Sequence, residues 1–509
     1  MHYVIIGNSA AGINAAESIR QQDKTGPITM ISSENTPAPY SRCLLSYYLA
    51  GEIPRKRLFI RSPKWYQELT ITPFLGRRVI SVILRKNTVV LDNKKLLPYD
   101  RLLIASGSSS IFLPIPGINT QGVFGIRTLG DSDKIINFIE NKSAKSAVVI
   151  GAGFIGLKIA CALQKRGLKV TVVEKLDRLM PRMLDKKASS IFEIAFKKKG
   201  IHLIFRQGVR EIVTSLVMDP LGPGCHCEPV RAKQSISFEI ASSPDFRRCP
   251  RNDTREKKQD FNRILTPKKQ MIQSVKLENG RTVPSQMVIM SVGVKPNIDF
   301  LKNSGIKTNQ GIIVNEYLQT NIKNIFAAGD VAETIDFLSG KHTINALWPC
   351  ASAQGKIAGY NMTITNNYHS VRQRRNTEST DSLDSRWSLS PNVTSGGGND
   401  RRNDVTKKKL MRRYVGSLAM NSVEFFGWPV ISFGEVNPTG KNYKIITKSK
   451  LTPLSLTGML RSGQAENFYR KLILKENRLV GLILVGQIEQ AGIYLSILKR
   501  HDEIIDFRL

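Results

Sequence analysis

The feature that most constrains this chain is a glycine pattern that occurs twice, each time between a short apolar run and a helical pattern. Gly151-Ala152-Gly153-Phe154-Ile155-Gly156 follows the apolar stretch Ser146 to Ile150 and opens a helical pattern that ends near Arg166. Lys169 to Glu174 then reads as a second strand. In a Gly-x-Gly-x-x-Gly so placed, the first glycine makes the tight turn, the second lets a pyrophosphate approach the backbone, and the third lets the helix pack on the strand. The helix N-terminus offers the phosphates its unsatisfied amides and the positive end of its dipole. Gly151, Gly153, Phe154, Ile155 and Gly156 thus form a candidate site for a nicotinamide dinucleotide. Glu174, 18 residues beyond Gly156, is placed to accept from a ribose 2′-hydroxyl and to repel a 2′-phosphate. This favours NADH over NADPH, a preference that Lys175 next door weakens.

The same unit starts 144 residues earlier. Tyr3 to Ile6 reads as a strand, Gly7-Asn8-Ser9-Ala10-Ala11-Gly12 as the turn, Ala11 to Gln21 as a helix and Pro27 to Ile31 as the next strand. Ser9 stands at the middle glycine and is small enough to keep the backbone approachable. Glu34 lies 22 residues past Gly12, where a ribose partner belongs. One such motif alone can be no more than a tight strand-to-helix turn; two, each followed by an acid at matching distance, point to two dinucleotides. A third signal is Ile325-Phe326-Ala327-Ala328-Gly329-Asp330, read as a strand ending in Gly-Asp before a helix start. Asp330 can there hold a ribitol hydroxyl of a flavin, or simply cap a helix.

The length of 509 residues suggests about three domains. With 41% hydrophobic residues, wholesale disorder and a collagen-like chain are excluded. The formal charge of +34 invites a nucleic-acid reading. No interleaving of aromatic and basic residues supports it, so no nucleic-acid partner is expected. Two stretches, about 219–269 and 370–413, are rich in Pro, Ser and charge and read as disordered surface insertions, too poor in apolar residues to offset their ordering entropy. Each carries an Arg-Asn-Asp tripeptide, and Cys225 through Asp253 resembles a translated genomic repeat; an ordinary long loop is the alternative. The first holds 11 Lys+Arg against 7 Asp+Glu and the second 11 against 5, which leaves +24 on the rest of the chain. Around the first insertion, Glu211-Ile212-Val213 and Ser274 to Arg281 read as strands of one meander, with Glu278-Asn279-Gly280 as a hairpin turn.

The chain opens directly into a strand without a basic leader and contains no apolar run of about 18 residues, so a cytoplasmic protein with no membrane partner is expected. The six cysteines, Cys43, Cys161, Cys225, Cys227, Cys249 and Cys350, form no Cys-x-x-Cys and no Cys-x-x-x-x-Cys, so a dithiol relay is ruled out by inventory. Cys225 and Cys227 with His226 make a poor tetrahedral set, and no metal is expected. Cys161 falls on the apolar face of the helix after Gly156 and reads as core.

The ordered series Gly7 to Gly12, Leu103-Ile104-Ala105-Ser106-Gly107, Gly151 to Gly156, Ser291-Val292-Gly293-Val294-Lys295-Pro296-Asn297 and Ala328-Gly329-Asp330 resembles the FAD-dependent pyridine nucleotide-disulfide oxidoreductases. Within them it is similar to the branch of rubredoxin and ferredoxin reductases, NADH oxidases, coenzyme A disulfide reductases and the flavin part of NADH-dependent nitrite reductase. Trp348-Pro349, Gln354-Gly355, Ala419-Met420-Asn421-Ser422 and Phe425-Phe426-Gly427 fit that branch, so the resemblance spans everything but the insertions.

The resemblance implies an α/β fold with two Rossmann-like domains and a C-terminal α+β domain. An FAD-binding domain is expected at 1–115 and 290–366, an NAD-binding domain at 116–289, an insertion or linker at 370–413 and an interface domain at 414–509, through which relatives form dimers. FAD would be held by Gly7, Ser9, Ala10, Ala11, Gly12, Glu34, Ala105, Ser106, Gly107, Gly329 and Asp330, and NADH by the second glycine motif with Glu174 and Gly293. Arg42 matches a family arginine facing FAD, its alternative being a surface cation. Hydride would pass from NADH to FAD and electrons onward to a small acidic carrier protein or a partner reductase.

Two departures concern chemistry. Many relatives place a lysine at Tyr47 and a glutamate at Lys158 as an ion pair beside the flavin, and both are absent here. Lys158 then either brings its own charge toward the reduced flavin or faces solvent. Cys43 followed by Tyr47-Tyr48 matches the spacing of single-cysteine oxidases and disulfide reductases, although Leu44-Leu45-Ser46 replaces their intervening Gly-Leu-Pro. A thiolate beside a flavin and Arg42 has a lowered pKa and is reactive; otherwise Cys43 is a small buried thiol.

Overall fold

The computed structural model describes residues 1–217, 269–364, 410–451 and 467–502. The bodies of both expected insertions, and with them Cys225, Cys227 and Cys249, lie outside the described residues. The chain forms two compact units. One comprises Met1–Ser41, Phe59–Ser108 and Pro296–Ala419; the other comprises Arg42–Leu58, Ser109–Lys295 and Met420–Leu509. The segment Arg42–Leu58, which carries Arg42, Cys43 and Tyr47, is thus part of the second unit.

The first unit is built on a five-stranded parallel sheet, in order Ile325–Ala327, Arg101–Ile104, Tyr3–Ile6, Ile28–Ser32 and Ile71–Leu75. Tyr3–Ile6 is buried at every position, as expected of a parallel strand covered on both faces. From it the chain moves to Ile28–Ser32 on one side, while Arg101–Ile104 lies on the other. The loop Gly7–Gly12 therefore sits at the carboxyl end of the central strand, where strand order reverses and α/β sheets bind ligands. The helices Ala10–Gln22 and Trp348–Met362 pack closely, because a Cβ on Gly355 would lie 2.2 Å from the Ala11 carbonyl oxygen and one on Gly359 would lie 2.4 Å from that of Ala15.

The second unit repeats the plan. Its parallel sheet runs His202–Ile204, Lys169–Val173, Ser146–Ile150, Met287–Met290 and Val123–Gly125, again with the glycine loop at the end of the central strand. The expected meander is present. Val209–Val217 pairs antiparallel with Lys269–Leu277, which turns through Glu278 to Gly280 into Thr282–Pro284. The last rung of that ladder is Val217 opposite Lys269, so the chain enters and leaves the first insertion at adjacent positions. The second insertion is closed in the same way. The buried Asn361 donates to the Arg412 carbonyl at 2.9 Å and accepts from the Arg412 amide at 2.7 Å.

The C-terminal part is an antiparallel sheet in order Met420–Phe425, Trp428–Gly434, Arg478–Val485, Phe468–Lys475 and Tyr443–Lys450, followed by the helix Ala491–Arg500. Among the described residues no helix is long and apolar enough to cross a membrane.

Candidate functional site

In the first unit the glycines are fixed by steric exclusion. Gly7 has φ +123°, and a Cβ there would lie 2.0 Å from the Ala105 carbonyl oxygen. One on Gly12 would lie 1.9 Å from that of Gly7. Ser9 is the N-cap of the helix Ala10–Gln22. Ala105 and Ser106 continue the neighbouring strand; Ser106 donates through Oγ to the Asn297 carbonyl at 2.8 Å, and Asn297 returns a bond from Nδ2 to the Ser106 carbonyl at 2.9 Å. Gly107, at φ +67°, has open space where a side chain would stand. Asp330 is buried and accepts from Ser108 Oγ at 2.9 Å, and the Gly329 amide donates to Gln354 Oε1 at 2.7 Å. Glu34 stands two residues past its strand and accepts from the Tyr40 hydroxyl at 2.5 Å.

One local expectation is corrected here. No helix starts after Asp330; the chain continues as the strand Ala332–Ile335, and the next helix begins at Trp348. Asp330 is therefore not a helix cap. The short strand pairs in parallel with Ile312 and Ile313 through Ala332 and Glu333, and antiparallel with Thr343 and His342 through Thr334 and Ile335.

In the second unit Gly151, at φ +104°, would place a Cβ 2.3 Å from the Ser291 carbonyl oxygen, and Gly156 would place one 2.2 Å from that of Gly151. The middle glycine, Gly153, has nothing within 4 Å of its missing Cβ, the open approach that a pyrophosphate needs. Phe154 and Ile155 form the first helical turn, with Ile155 exposed. Gly293, at φ +128°, follows the adjacent strand. Glu174 faces the loop: its Oε2 accepts from the Ala152 amide at 2.7 Å and its Oε1 from the Leu176 amide at 2.9 Å. A carboxylate has about four acceptor sites, so room remains for ribose hydroxyls. Lys175 is drawn to Glu278 at 3.6 Å in an exposed pair.

Like Trp348–Met362 and Ala491–Arg500, these two helices begin without a side-chain cap, but they alone of these four follow a glycine loop. Helix Leu129–Lys142 has a capping box of Thr128 and Asp131, and helix Lys186–Lys198 is capped by Asp185. The helices after Ser9 and Gly153 have neither a side-chain cap nor an acid in the first turn. Their terminal amides are left for an anion, and any carboxylate there would repel phosphate. The residues present thus fit two dinucleotides, one FAD and one nicotinamide dinucleotide.

Around Cys43, the segment Arg42–Leu58 is bonded to its own unit. Arg42 Nη1 donates to the Arg127 carbonyl at 2.6 Å, and the Tyr48 hydroxyl donates to Asp133 at 2.8 Å. Cys43 is exposed, which overturns the small buried thiol. Lys158 is not a plain solvent-facing lysine. Its Nζ donates to the Glu424 carbonyl at 2.8 Å and lies 4.9 Å over the Tyr47 ring and 5.3 Å over the Phe425 ring. Sequence reading missed Glu424 and Phe425 as its partners, since they lie more than 260 residues away. Cys161 is partly buried and packs against the core, and burial pushes its thiol up to about 12.

Comparison with known proteins agrees with this geometry. Residues 1–218 and 258–355 match the family model described as pyridine nucleotide-disulphide oxidoreductase, and residues 420–502 match the rubredoxin NAD+ reductase C-terminal domain. The chain is 31% identical to an NADH oxidase of Methanocaldococcus jannaschii, covering 71% of this chain and 70% of that one. It is 32% identical to rhodocoxin reductase of Rhodococcus erythropolis, covering 65% of each. Among solved structures, an NAD-dependent persulfide reductase from A. fulgidus superposes with a TM-score of 0.72 at 23% identity, covering 100% of this chain and 79% of that one, a likeness of fold. The chain belongs to the pyridine nucleotide-disulphide oxidoreductase family and is an NAD(P)H-dependent oxidoreductase with two Rossmann-like domains and a rubredoxin-reductase type C-terminal domain.

Proposed function

We propose that the protein oxidises NADH at the Gly151–Gly156 site and delivers the electrons, through FAD held at the Gly7–Gly12 site, to a small acidic carrier protein of the rubredoxin or ferredoxin class or to a partner reductase. The observation that carries this reading is the pair of uncapped helix N-termini, each behind a glycine loop. The match of residues 420–502 to a rubredoxin NAD+ reductase domain and the likeness to rhodocoxin reductase support the carrier. Bound FAD would supply the two-electron chemistry that accepts a hydride, and the protein supplies binding, orientation and electrostatics. Gly7 and Gly12 allow the tight turn and the close helix–strand packing that shape the loop, and Ser9 is small enough for the pyrophosphate approach. Asp330 and Glu34 offer carboxylates to sugar hydroxyls, and Glu174 selects a ribose without a 2′-phosphate. The excess of basic residues suits steering an acidic partner.

A second reading rests on the exposure of Cys43 and the likeness to an NADH oxidase: a thiol-based oxidase or disulfide reductase. A third is an NADH–FAD electron-transfer subunit of a larger complex, with diaphorase activity and no turnover of free carriers. Anaerobic reduction of the FAD-loaded protein by NADH and by NADPH, followed by turnover with carriers, disulfides and oxygen, tests all three. Reduction by NADH with carrier turnover is expected. Oxygen or disulfide turnover that is lost in Cys43→Ser would replace the first reading by the second.

A further inference from the structure

A continuous path of hydrogen bonds runs from the second glycine loop to the C-terminal sheet, entirely within the second unit. Ala152, fully buried between Gly151 and Gly153, gives its amide to Glu174 at 2.7 Å, and its carbonyl accepts the Met180 amide at 2.9 Å. Met180 has a left-handed backbone, φ +46°, and its carbonyl accepts the amides of Met183 and Leu184 at 2.8 and 2.9 Å, closing a tight turn. Asn437, from the C-terminal part, donates from Nδ2 to the carbonyls of both Pro181 and Leu184 at 3.1 Å.

The next residue, Asp185, holds the other end. Its Oδ1 caps helix Lys186–Lys198 through the Ala188 amide at 2.9 Å. Its Oδ2 accepts from the Tyr469 hydroxyl at 2.5 Å and from Lys471 Nζ at 3.1 Å. The Lys471 side chain is 8% exposed, and its second partner is the Val436 carbonyl at 3.0 Å. A buried lysine is costly unless paired, and removing one member leaves the other charge uncompensated. An ordinary contact between domains needs only apolar surface. Here the C-terminal part instead directs a charge and a phenol from its strand Phe468–Lys475, and an amide from the loop after Trp428–Gly434, onto one six-residue turn that is bonded to the second glycine loop.

We propose that Asn437, Tyr469 and Lys471 are positioning residues for the nicotinamide dinucleotide, holding the Met180–Asp185 turn and, through it, Ala152 and Glu174 in the geometry that accepts the cofactor. This rests on the reading that Gly151–Gly156 and Glu174 bind that cofactor. The C-terminal sheet is then part of the binding apparatus for NADH, although none of its residues need touch the nucleotide.

The test uses the full-length, FAD-loaded protein and four variants: Asn437→Ala, Lys471→Met, the charge-neutral double variant Asp185→Asn/Lys471→Met, and Glu174→Gln as the check on the site itself. Dissociation constants for NAD+ and ADP-ribose, KM and kcat for NADH with ferricyanide, FAD content and melting temperature are read for each. Asn437→Ala and Lys471→Met should raise KM and the dissociation constants about fivefold or more. Their kcat and FAD content should stay near those of the parent, and the double variant should recover part of the Lys471→Met loss. If Glu174→Gln weakens binding while Asn437→Ala and the double variant bind NAD+ like the parent, the positioning role is overturned and the site stands. If Glu174→Gln leaves binding unchanged, the site reading falls and takes the proposal with it. Should Lys471→Met fail to fold, Asn437→Ala and the double variant decide the question.

Discussion

The Ala152 amide and the Glu174 carboxylate are joined at 2.7 Å, so the acid proposed to read the ribose is fastened to the loop proposed to bind the phosphates. Glu174→Gln keeps an acceptor for that amide and removes the charge. Loss of a charge-assisted hydrogen bond costs about 1.5–3 kcal/mol, so kcat/KM for NADH should fall about 10- to 100-fold. The value for NADPH should rise as repulsion of the 2′-phosphate is lifted. Steady-state kinetics with both nucleotides checks this, and an unchanged NADPH to NADH ratio would remove Glu174 from specificity.

The two glycine loops should fail separately. Alanine at Gly12 drives a Cβ to 1.9 Å from the Gly7 carbonyl oxygen, and alanine at Gly156 drives one to 2.2 Å from that of Gly151. Gly12→Ala should therefore purify without FAD. Gly156→Ala should retain FAD and lose its reduction by NADH. Absorbance of the purified proteins and anaerobic NADH titration distinguish the two; FAD loss from Gly156→Ala alone would exchange the assignments.

Lys158 is clasped by the Glu424 carbonyl and two aromatic rings, so its charge is held in place. Fixed charges act on a reaction without reorganising at the moment it occurs. Lys158→Met, which keeps the apolar stem, should slow flavin reduction by NADH at least about tenfold or lower the flavin potential. Stopped-flow reduction at the parent rate with an unchanged potential would sink this role.

Thiol chemistry should follow burial. Burial raises the pKa of Cys161 to about 12 and also raises that of Cys350, so both stay protonated at neutral pH, whereas Cys43 is exposed. In a variant with Cys225, Cys227 and Cys249 replaced by serine, iodoacetamide at about pH 8 should label Cys43 first. A thiol with a raised folded-state pKa costs nothing below the unfolded value near 9, and stability falls as pH climbs from there toward 12. Mass spectrometry of the labelled sites decides; early labelling of Cys161 would contradict its packing.

Turnover with an acidic carrier should fall steeply with added salt, because exposed charges more than about 10 Å apart are screened at 0.1 M. A flat salt response would favour the small-molecule acceptors.

The glycine loops were legible because part of their constraint lies within the motif: a Cβ at Gly12 or Gly156 meets the carbonyl oxygen of the motif's own first glycine. The acids followed from the fixed length of a βαβ unit. The structure after Asp330 was not legible, since Ala332–Ile335 is the middle strand of a small sheet, held by Ile312 and Ile313 on one side and by His342 and Thr343 on the other. Nor was the burial of Lys471, which shares a face of its strand with Tyr469 and depends on Asp185, 286 residues earlier. Exposure of Cys43 likewise depends on how Arg42–Leu58 is bonded to residues near 127, 133 and 166.

Val217 lies opposite Lys269, and Asn361 is bonded to Arg412, so each long excursion departs from and returns to a single spot on the scaffold. Sequence acquired at such a spot alters neither the register of the ladder nor the span between the anchoring residues, and doubling its length adds only about 0.6 kcal/mol of closure entropy. These are ports of entry: a two-residue turn, an affinity tag or a fused carrier domain should be exchangeable for the native excursion while both glycine loops keep their places.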